Sequence, residues 1–590
     1  MNNFSLNLED CKPGGRLISG DLGYDEYAGT LSELGLTQLL ALEQAPQGCF
    51  RYIRIHNIFT SKEGDNHGAR DAGGDPVRMN SDGSISFEWA MIDAVCLAIL
   101  ESGCIPFIEL GFTPTVWSTI DSVLKSDLNN ELKWKVNKNK PGSPACYPPR
   151  DLNLWANLLQ AFLSHLTTEF GEEAKQWPIE LWNEPDISYF KGTIKEYCEL
   201  WHCTHKLCKE FGMHMVGAPA VAHAASFLQK FLSYTIESGT VPDFISFHLK
   251  AGHEPDLNKG GANLHTLWIR ALTLRDAIPQ ELRNVPIWIT EFDPITGCEL
   301  GIKDDNGWSF QNKSYYPAWL GQACYMLVCL QQSRDINTLE FDPDLEPLKF
   351  DAIFNDNHHI TAETTPFYGA RCITTPIWVK SAEKESKTDE LTLMFNYGSS
   401  KLKSFLRKIY ENLDRFPSLK VALDDLSTRI YRPKSESKLK TIAKPIFRAF
   451  ECIKNFQGSF SAFGNREQSI YGVLCINEND IYLVIVNQPE PIKEGAERDI
   501  YIQLKGFNNQ RKVVLAESLR IDSGSANPYE LWLSMGSPNE VTETEYQRLV
   551  DESVPKPVQM KNLSISDTEL SFSLHTEAHS FHHLHFKLSD

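Results

Sequence analysis

The first half of the chain alternates short apolar runs with longer amphipathic stretches. Runs rich in β-branched and aromatic residues at 16–23, 50–56, 105–110, 177–182, 213–218, 243–248 and 285–291 predict strands. Between them, segments 31–42, 87–100, 152–170, 194–211, 224–238 and 264–277 repeat apolar residues every three or four positions and predict helices. In the segment 152–170 the inward face is Leu154, Leu158, Phe162 and Leu166. A helical pattern at 316–331 follows the seventh strand, and an eighth strand falls somewhere in 336–354.

Strand-then-helix alternation of this length specifies a parallel sheet with helices outside. No Gly-rich phosphate turn follows the first strand, so the expected α/β fold is a closed (β/α)8 TIM barrel rather than a doubly wound sheet. Beyond residue 456 the texture changes to short β runs at 469–475, 481–487, 500–504, 512–519, 569–574 and 583–586, which predict a C-terminal antiparallel β-sandwich. The expected partition is a barrel over 15–379, a basic and partly helical insertion over 380–443, and the barrel end with the sandwich over 444–590.

The 590 residues suffice for a barrel plus one smaller module. A net charge of -20 argues against general binding to nucleic acid or an anionic membrane, because phosphate-rich surfaces would be repelled. The insertion carries Lys401, Lys403, Arg407, Lys408, Arg415 and Lys420, and reads as a solvated face ahead of an anion site. Cys198, Cys203 and Cys208 with His202 and His205 invite a zinc reading, but they have no CxxC knuckle and lie in a helical pattern, so helix packing is preferred. The first residues show neither a charged nor an apolar leader region, and no run approaches the roughly 20 apolar residues of a membrane span. The expectation is a soluble cytoplasmic protein, or a secreted or lysosome-like one if a targeting segment is missing.

Two apolar strands end in carboxylates: Trp182-Asn183-Glu184-Pro185 on the fourth and Ile289-Thr290-Glu291 on the seventh. Acids at the C-terminal ends of these strands would face each other across a barrel mouth, the arrangement that retaining glycoside hydrolysis requires. Glu184 is assigned as acid/base and Glu291 as nucleophile. Asn183 is placed to hydrogen-bond the sugar hydroxyl beside the reacting carbon, and His56 to orient the nucleophile or a hydroxyl.

These two motifs resemble the acid/base and nucleophile motifs of the clan A retaining glycosidases. Tyr52-Ile53-Arg54-Ile55-His56, Phe107-Ile108-Glu109-Leu110-Gly111, Tyr147-Pro148-Pro149-Arg150, Asp243-Phe244-Ile245-Ser246-Phe247-His248 and Lys444-Pro445-Ile446 narrow the resemblance to glycoside hydrolase family 39, which contains β-xylosidases and α-L-iduronidases. His248-Leu249-Lys250-Ala251-Gly252 is similar to the iduronidases' His-Arg-Lys-Gly, where xylosidases usually carry a Tyr two residues after the His. Glu291-Phe292-Asp293-Pro294, Asn355-Asp356-Asn357 and Pro366-Phe367-Tyr368-Gly369-Ala370-Arg371 likewise resemble iduronidase segments.

The resemblance implies that Lys250 and Arg371 hold a sugar carboxylate, that Asp356 binds ring hydroxyls, and that His248 and Asp293 line the same site. A uronate beside so many acids needs such cations, since like charges 4 Å apart repel by about 4 kcal/mol at a dielectric of 20. Structural ion pairs between Lys250 or Arg371 and Asp293 or Asp356 are the alternative. Leu249 in place of Arg, and the extra insertion, depart from the iduronidase pattern.

The expected function is retaining exo-hydrolysis of a terminal α-L-iduronate, or a related uronate, from glycosaminoglycan-like oligosaccharides through a covalent glycosyl-enzyme, with no metal or organic cofactor. The alternatives are a β-xylosidase of the same family and a carbohydrate-binding protein without catalysis.

Overall fold

The computed structural model describes residues 2–16, 21–24, 31–56, 58–59, 76–114, 144–187, 189–253, 264–296, 311–355, 373–380, 398–416, 420, 423, 433, 437–490, 495–507, 513–566 and 568–589. Eight parallel strands pair in chain order around a closed ring: β1 (Asp21–Tyr24), β2 (Tyr52–Ile55), β3 (Ile105–Leu110), β4 (Ile179–Leu181), β5 (Val216–Val221), β6 (Phe244–His253), β7 (Ile287–Thr296) and β8 (Phe350–Asn355). Seven helices follow β1 to β7 in turn: α1 (Glu33–Leu40), α2 (Ala90–Glu101), α3 (Leu152–Phe170), α4 (Ile194–Glu210), α5 (Ala225–Ser238), α6 (Leu264–Asp276) and α7 (Tyr315–Gln331). Residues 356–372, after β8, lie outside the described ones. The expected strand-helix alternation is therefore seen for seven of eight units.

Alternate side chains of a strand share a face, and each step of two residues rises about 6.7 Å, so the ring interior is built in layers. Its floor is apolar: Tyr52, Phe107, Phe244, Trp288 and Ala352 form one buried cluster. Phe244 stacks on Trp288 with ring centroids 4.1 Å apart, and Phe107 meets Trp288 edge-on at 5.6 Å. Gly217 on β5 leaves room for this stack, since a Cβ there would lie 2.2 Å from the Phe244 ring. Two residues further along β2 and β3 come Arg54 and Glu109, then His56 and Gly111, so charge sits directly above the floor.

On β7 one residue is inserted into the pairing with β6. Phe247 pairs with Ile289, but His248 pairs with Glu291, Leu249 with Phe292 and Lys250 with Asp293. Such a bulge re-aims the residues beyond it. Without it His248 would meet Thr290 and Glu291 would take the other face.

Two sheets of the C-terminal half pack as a sandwich. A seven-stranded antiparallel sheet and a four-stranded sheet share a core in which Leu474, Ile481, Leu483 and Ile485 of the first meet Ile500, Ile502, Leu570 and Phe572 of the second. The first residues of the chain belong here, a departure from the expected partition. Strand Asn2–Asn7 pairs parallel with Arg498–Lys505, and Lys12–Arg16 pairs antiparallel with Gln457–Asn465. One parallel pair thus enters a sandwich expected to be antiparallel throughout. Gly321 lets α7 approach this sandwich closely, because a Cβ there would meet Val486 at 2.3 Å.

The basic insertion emerges from a hairpin: Thr374–Lys380 pairs antiparallel with Ser437–Ala443. Its helix Ser400–Tyr410 buries Leu402, Leu406 and Ile409, and Lys401, Arg415 and Lys440 pair with Glu169, Glu88 and Glu543. These described cations are held by acids of the same chain. Among the described residues no helix is long and apolar enough to cross a membrane.

Two stability predictions follow from the packing. Gly217→Ala forces a methyl into the Phe244–Trp288 stack and is expected to lower stability by about 1–3 kcal/mol, read as a lower thermal midpoint; an unchanged midpoint would refute the close approach. His582, buried in the sandwich, has its pKa pushed down to about 3 by burial first and then by Arg520 and His575. It stays neutral when folded but takes a proton near pH 6.5 when unfolded, so its contribution is complete above that pH and is lost as pH falls toward 3, at up to about 1.4 kcal/mol per pH unit. Melting curves between pH 7 and pH 5 should show a steeper loss for the wild type than for His582→Phe.

Candidate active site

Above the apolar floor a single guanidinium ties three strands together. Arg54 on β2 donates from Nε to Glu180 Oε2 at 2.8 Å, from Nη2 to Asn183 Oδ1 at 3.1 Å and from Nη1 to Glu291 Oε1 at 3.3 Å, and its Nη2 forms an ion pair with Glu109 Oε2 at 2.8 Å. Arg54 is 2% exposed, and Glu109 and Glu180 are fully buried. Burial opposes its charge, but Glu180, Glu109 and Glu291 outweigh that, so the guanidinium holds its proton more tightly than an ordinary arginine does. A charge buried this deeply is tolerable only because its donors are matched in this way.

The end of β4 is locally strained. Trp182 has φ 71° and Glu184 φ 43°, left-handed conformations that cost non-glycine residues about 1–3 kcal/mol each. The surroundings hold them there. The Trp182 indole is buried against Phe112 and Phe190 and donates to the Tyr189 carbonyl at 2.9 Å. The Glu184 amide donates to the Ala220 carbonyl at 3.1 Å. Asp186 accepts from the amides of Ala222, His223 and Ala224, anchoring the same loop to the start of α5.

Glu184 and Glu291 are brought together with His248, each contributing an atom to a group whose members lie within 4.8 Å of one another. His248 Nδ1 is 2.8 Å from Glu184 Oε1 and 3.3 Å from Glu291 Oε2. Its pKa is raised: burial works against the imidazolium, and Glu291 and Glu184 outweigh it. Lys250 Nζ lies 2.7 Å from Glu291 Oε2. Glu291 therefore faces Arg54 on one oxygen and Lys250 and His248 on the other, a setting that favours its ionised form. His56 Nδ1 is 2.5 Å from Glu109 Oε2, and the acceptance of Arg54 by Asn183 Oδ1 leaves the amide nitrogen as its donor toward a ligand.

Of the residues expected from the sequence, Glu184, Glu291, His56, Asn183, His248 and Lys250 converge on the ring mouth. Asp293 is wholly buried and accepts the hydroxyl of Tyr316. Asp356 and Arg371 lie outside the described residues. Sequence reasoning gave no role to Glu109, Glu180 or Tyr316, and left Arg54 unassigned. The available signal was an Arg and two Glu at inward positions within otherwise apolar strands.

The model for glycosyl hydrolases family 39 matches residues 36–312. A β-xylosidase of Caldicellulosiruptor saccharolyticus is 24% identical over 513 residues, covering 85% of this chain and 83% of that protein. Among solved structures, a monomeric β-xylosidase from Caulobacter crescentus CB15 superposes with a TM-score of 0.60 at 18% identity over 100% of this chain and 99% of its own. The bacterial orthologue of human α-L-iduronidase does so with a TM-score of 0.64 at 15% identity, over 99% and 83% respectively. At these identities the structural likeness speaks for the fold. The family match spans β2 to β7 and so contains Arg54, both strand-end carboxylates, His248 and Lys250, and over these residues the chain matches family 39 of the glycosyl hydrolases.

Proposed function

We propose that this glycoside hydrolase works with retention and removes a terminal β-xylosyl unit from an oligosaccharide. The observation that carries the retaining mechanism is the approach of Glu184 and Glu291, with one oxygen of each within 4.8 Å. Retaining enzymes keep their carboxyl groups about 5–5.5 Å apart, whereas inverting enzymes leave room for a water between them. Glu184 donates its proton to the leaving oxygen as Glu291 bonds to the anomeric carbon. Glu184, now a carboxylate, then takes a proton from the water that displaces Glu291. The Asn183 amide donates to the neighbouring sugar hydroxyl. In this reading the ring is a complete (β/α)8 barrel, with the helix Pro445–Ile453, which packs against α7 and Phe50, serving as the eighth.

The neutral substrate is supported by the β-xylosidase relative, and Lys250 does not oppose it. The sequence argument for a uronate rests on cations that a neutral sugar would leave without a partner. Lys250 instead has Glu291 at 2.7 Å, and it serves the nucleophile whatever sugar is bound. Uronate hydrolysis is the second reading, favoured by the same ammonium standing at the sugar level with its side chain 12% exposed.

For the mechanism, Glu291→Gln should abolish turnover of an aryl β-D-xyloside. Glu184→Ala should lower it by about 10²–10⁴-fold, with added azide restoring activity as the β-glycosyl azide. First-formed xylose of inverted configuration would exclude retention. For specificity, aryl β-D-xyloside and α-L-iduronide are compared on the wild type and on Lys250→Met. The expected result is turnover of the xyloside, with kcat/KM reduced roughly 10- to 100-fold by the loss of a charge-assisted bond to Glu291. Turnover of the iduronide alone, with Lys250→Met raising its KM, would establish the uronate reading instead.

A further inference from the structure

We propose that the Nδ1–H of His248 follows the negative charge between the two catalytic carboxylates, hydrogen-bonding Glu291 and Glu184 each in turn as it becomes the ionised one. The proposal rests on the retaining reading. In its first step the Glu184 proton passes to the leaving oxygen, a Glu291 oxygen bonds to the anomeric carbon, and the C–O bond breaks with its electron pair going to the leaving group. Before that step Glu291 is the carboxylate; after it Glu291 is an ester and Glu184 is the carboxylate. In the second step water bonds to the anomeric carbon, its proton goes to Glu184, and Glu291 departs with the electron pair. One unit of negative charge thus crosses the gap and returns in every cycle.

His248 occupies that gap. Its Nδ1 reaches Glu184 Oε1 at 2.8 Å and Glu291 Oε2 at 3.3 Å, and the residue is 2% exposed. Its Nε2 is buried with no hydrogen-bond partner among the described residues. A neutral ring with its proton on Nε2 would bury an unanswered N–H, so the neutral form keeps its proton on Nδ1. The imidazolium carries one there as well, so Nδ1 is a donor in either charge state.

The other cations do not span the gap. The bonds that Arg54 Nη1 and Lys250 Nζ make to a catalytic carboxylate both go to Glu291. Among the described residues, the one side-chain hydrogen bond to Glu184 comes from His248. When Glu184 becomes the base, His248 is therefore the donor at hand to stabilise it. The charged groups acting on His248 are Glu291 from β7, Glu184 from the end of β4 and Arg54 from β2, with Lys250 of its own strand on the Glu291 oxygen that His248 also approaches. Only the first two change charge during the cycle.

The test compares His248→Asn with His248→Gln. The Asn amide nitrogen stands at the same distance from Cβ as Nδ1, whereas the Gln amide extends one bond further and puts its donor in the wrong place. Burst and steady-state kinetics are measured against pH with 2,4-dinitrophenyl β-D-xyloside, or with the α-L-iduronide counterpart if that is the glycoside turned over. The expected result is that Gln slows deglycosylation by at least about tenfold and moves its acid limb up by roughly one pH unit, because a carboxylate losing a donor binds its proton more tightly, while Asn restores both. Equal rates and unmoved profiles for Asn and Gln would overturn the proposal. Failure of the retaining reading has a separate signature, namely a wild-type enzyme that shows no burst and gives no Glu291 adduct with a 2-fluoro glycoside.

Discussion

The site depends on one buried cation serving several anions. Arg54 faces Glu109, Glu180 and Glu291, so three carboxylates surround a single guanidinium with at most 2% of its surface in water. Taken alone, that cluster carries excess negative charge in a low-dielectric interior, which is unfavourable. It is relieved from above, by His56 on Glu109 and by Lys250 and His248 on Glu291. Glu184 and Glu291 are thus the upper part of a buried network that joins Arg54, His56, His248 and Lys250 to Glu109, Glu180, Glu184 and Glu291. Arg54 also reaches Asn183, and so links the Asn183 amide, Glu180 and Glu291 through one rigid planar fork.

A network of this kind needs strands that deliver side chains at the right height. Regular alternation does most of it, carrying β2 from Tyr52 through Arg54 to His56 and β6 from Phe244 through Ser246 to His248 and Lys250. Glu184 and Glu291 are where alternation fails. Glu291 reaches the inner face through the inserted residue of β7, and Glu184 through two left-handed residues after β4. Both irregularities cost stability, and both are held by large buried side chains, with Trp288 in the floor below the bulge and Trp182 beside Glu184.

This explains what was legible in the sequence. The strand-helix alternation came through because each helix must bury a stripe and each strand an apolar face, and α3 was predicted at its observed bounds, Leu152–Phe170. Glu184 and Glu291 were visible because they end apolar runs. Arg54, Glu109 and Glu180 were not assigned roles, since a charge inside a strand has a meaning only once its partners on other strands are known. The strands Asn2–Asn7 and Lys12–Arg16 were missed for the same reason: they are stabilised by pairing with residues some 450 to 500 positions later, which no local periodicity records.

Lys250 shows the same limit at the level of substrate. From the sequence it was a cation in an acidic mouth, and a sugar carboxylate was the natural partner to assign. In the fold its ammonium rests on Glu291, across a register that pairs its own backbone with Asp293. A lysine so placed lowers the cost of keeping Glu291 ionised, a need that the proposed retaining mechanism has whatever the charge of its sugar. The presence of Lys250 therefore discriminates poorly between a neutral and an acidic substrate. What discriminates is whether the ammonium can leave Glu291 for a sugar carboxylate without stranding the Glu291 charge. Arg54 and His248, each already within 3.3 Å of Glu291, are the groups that would have to hold its charge when it does.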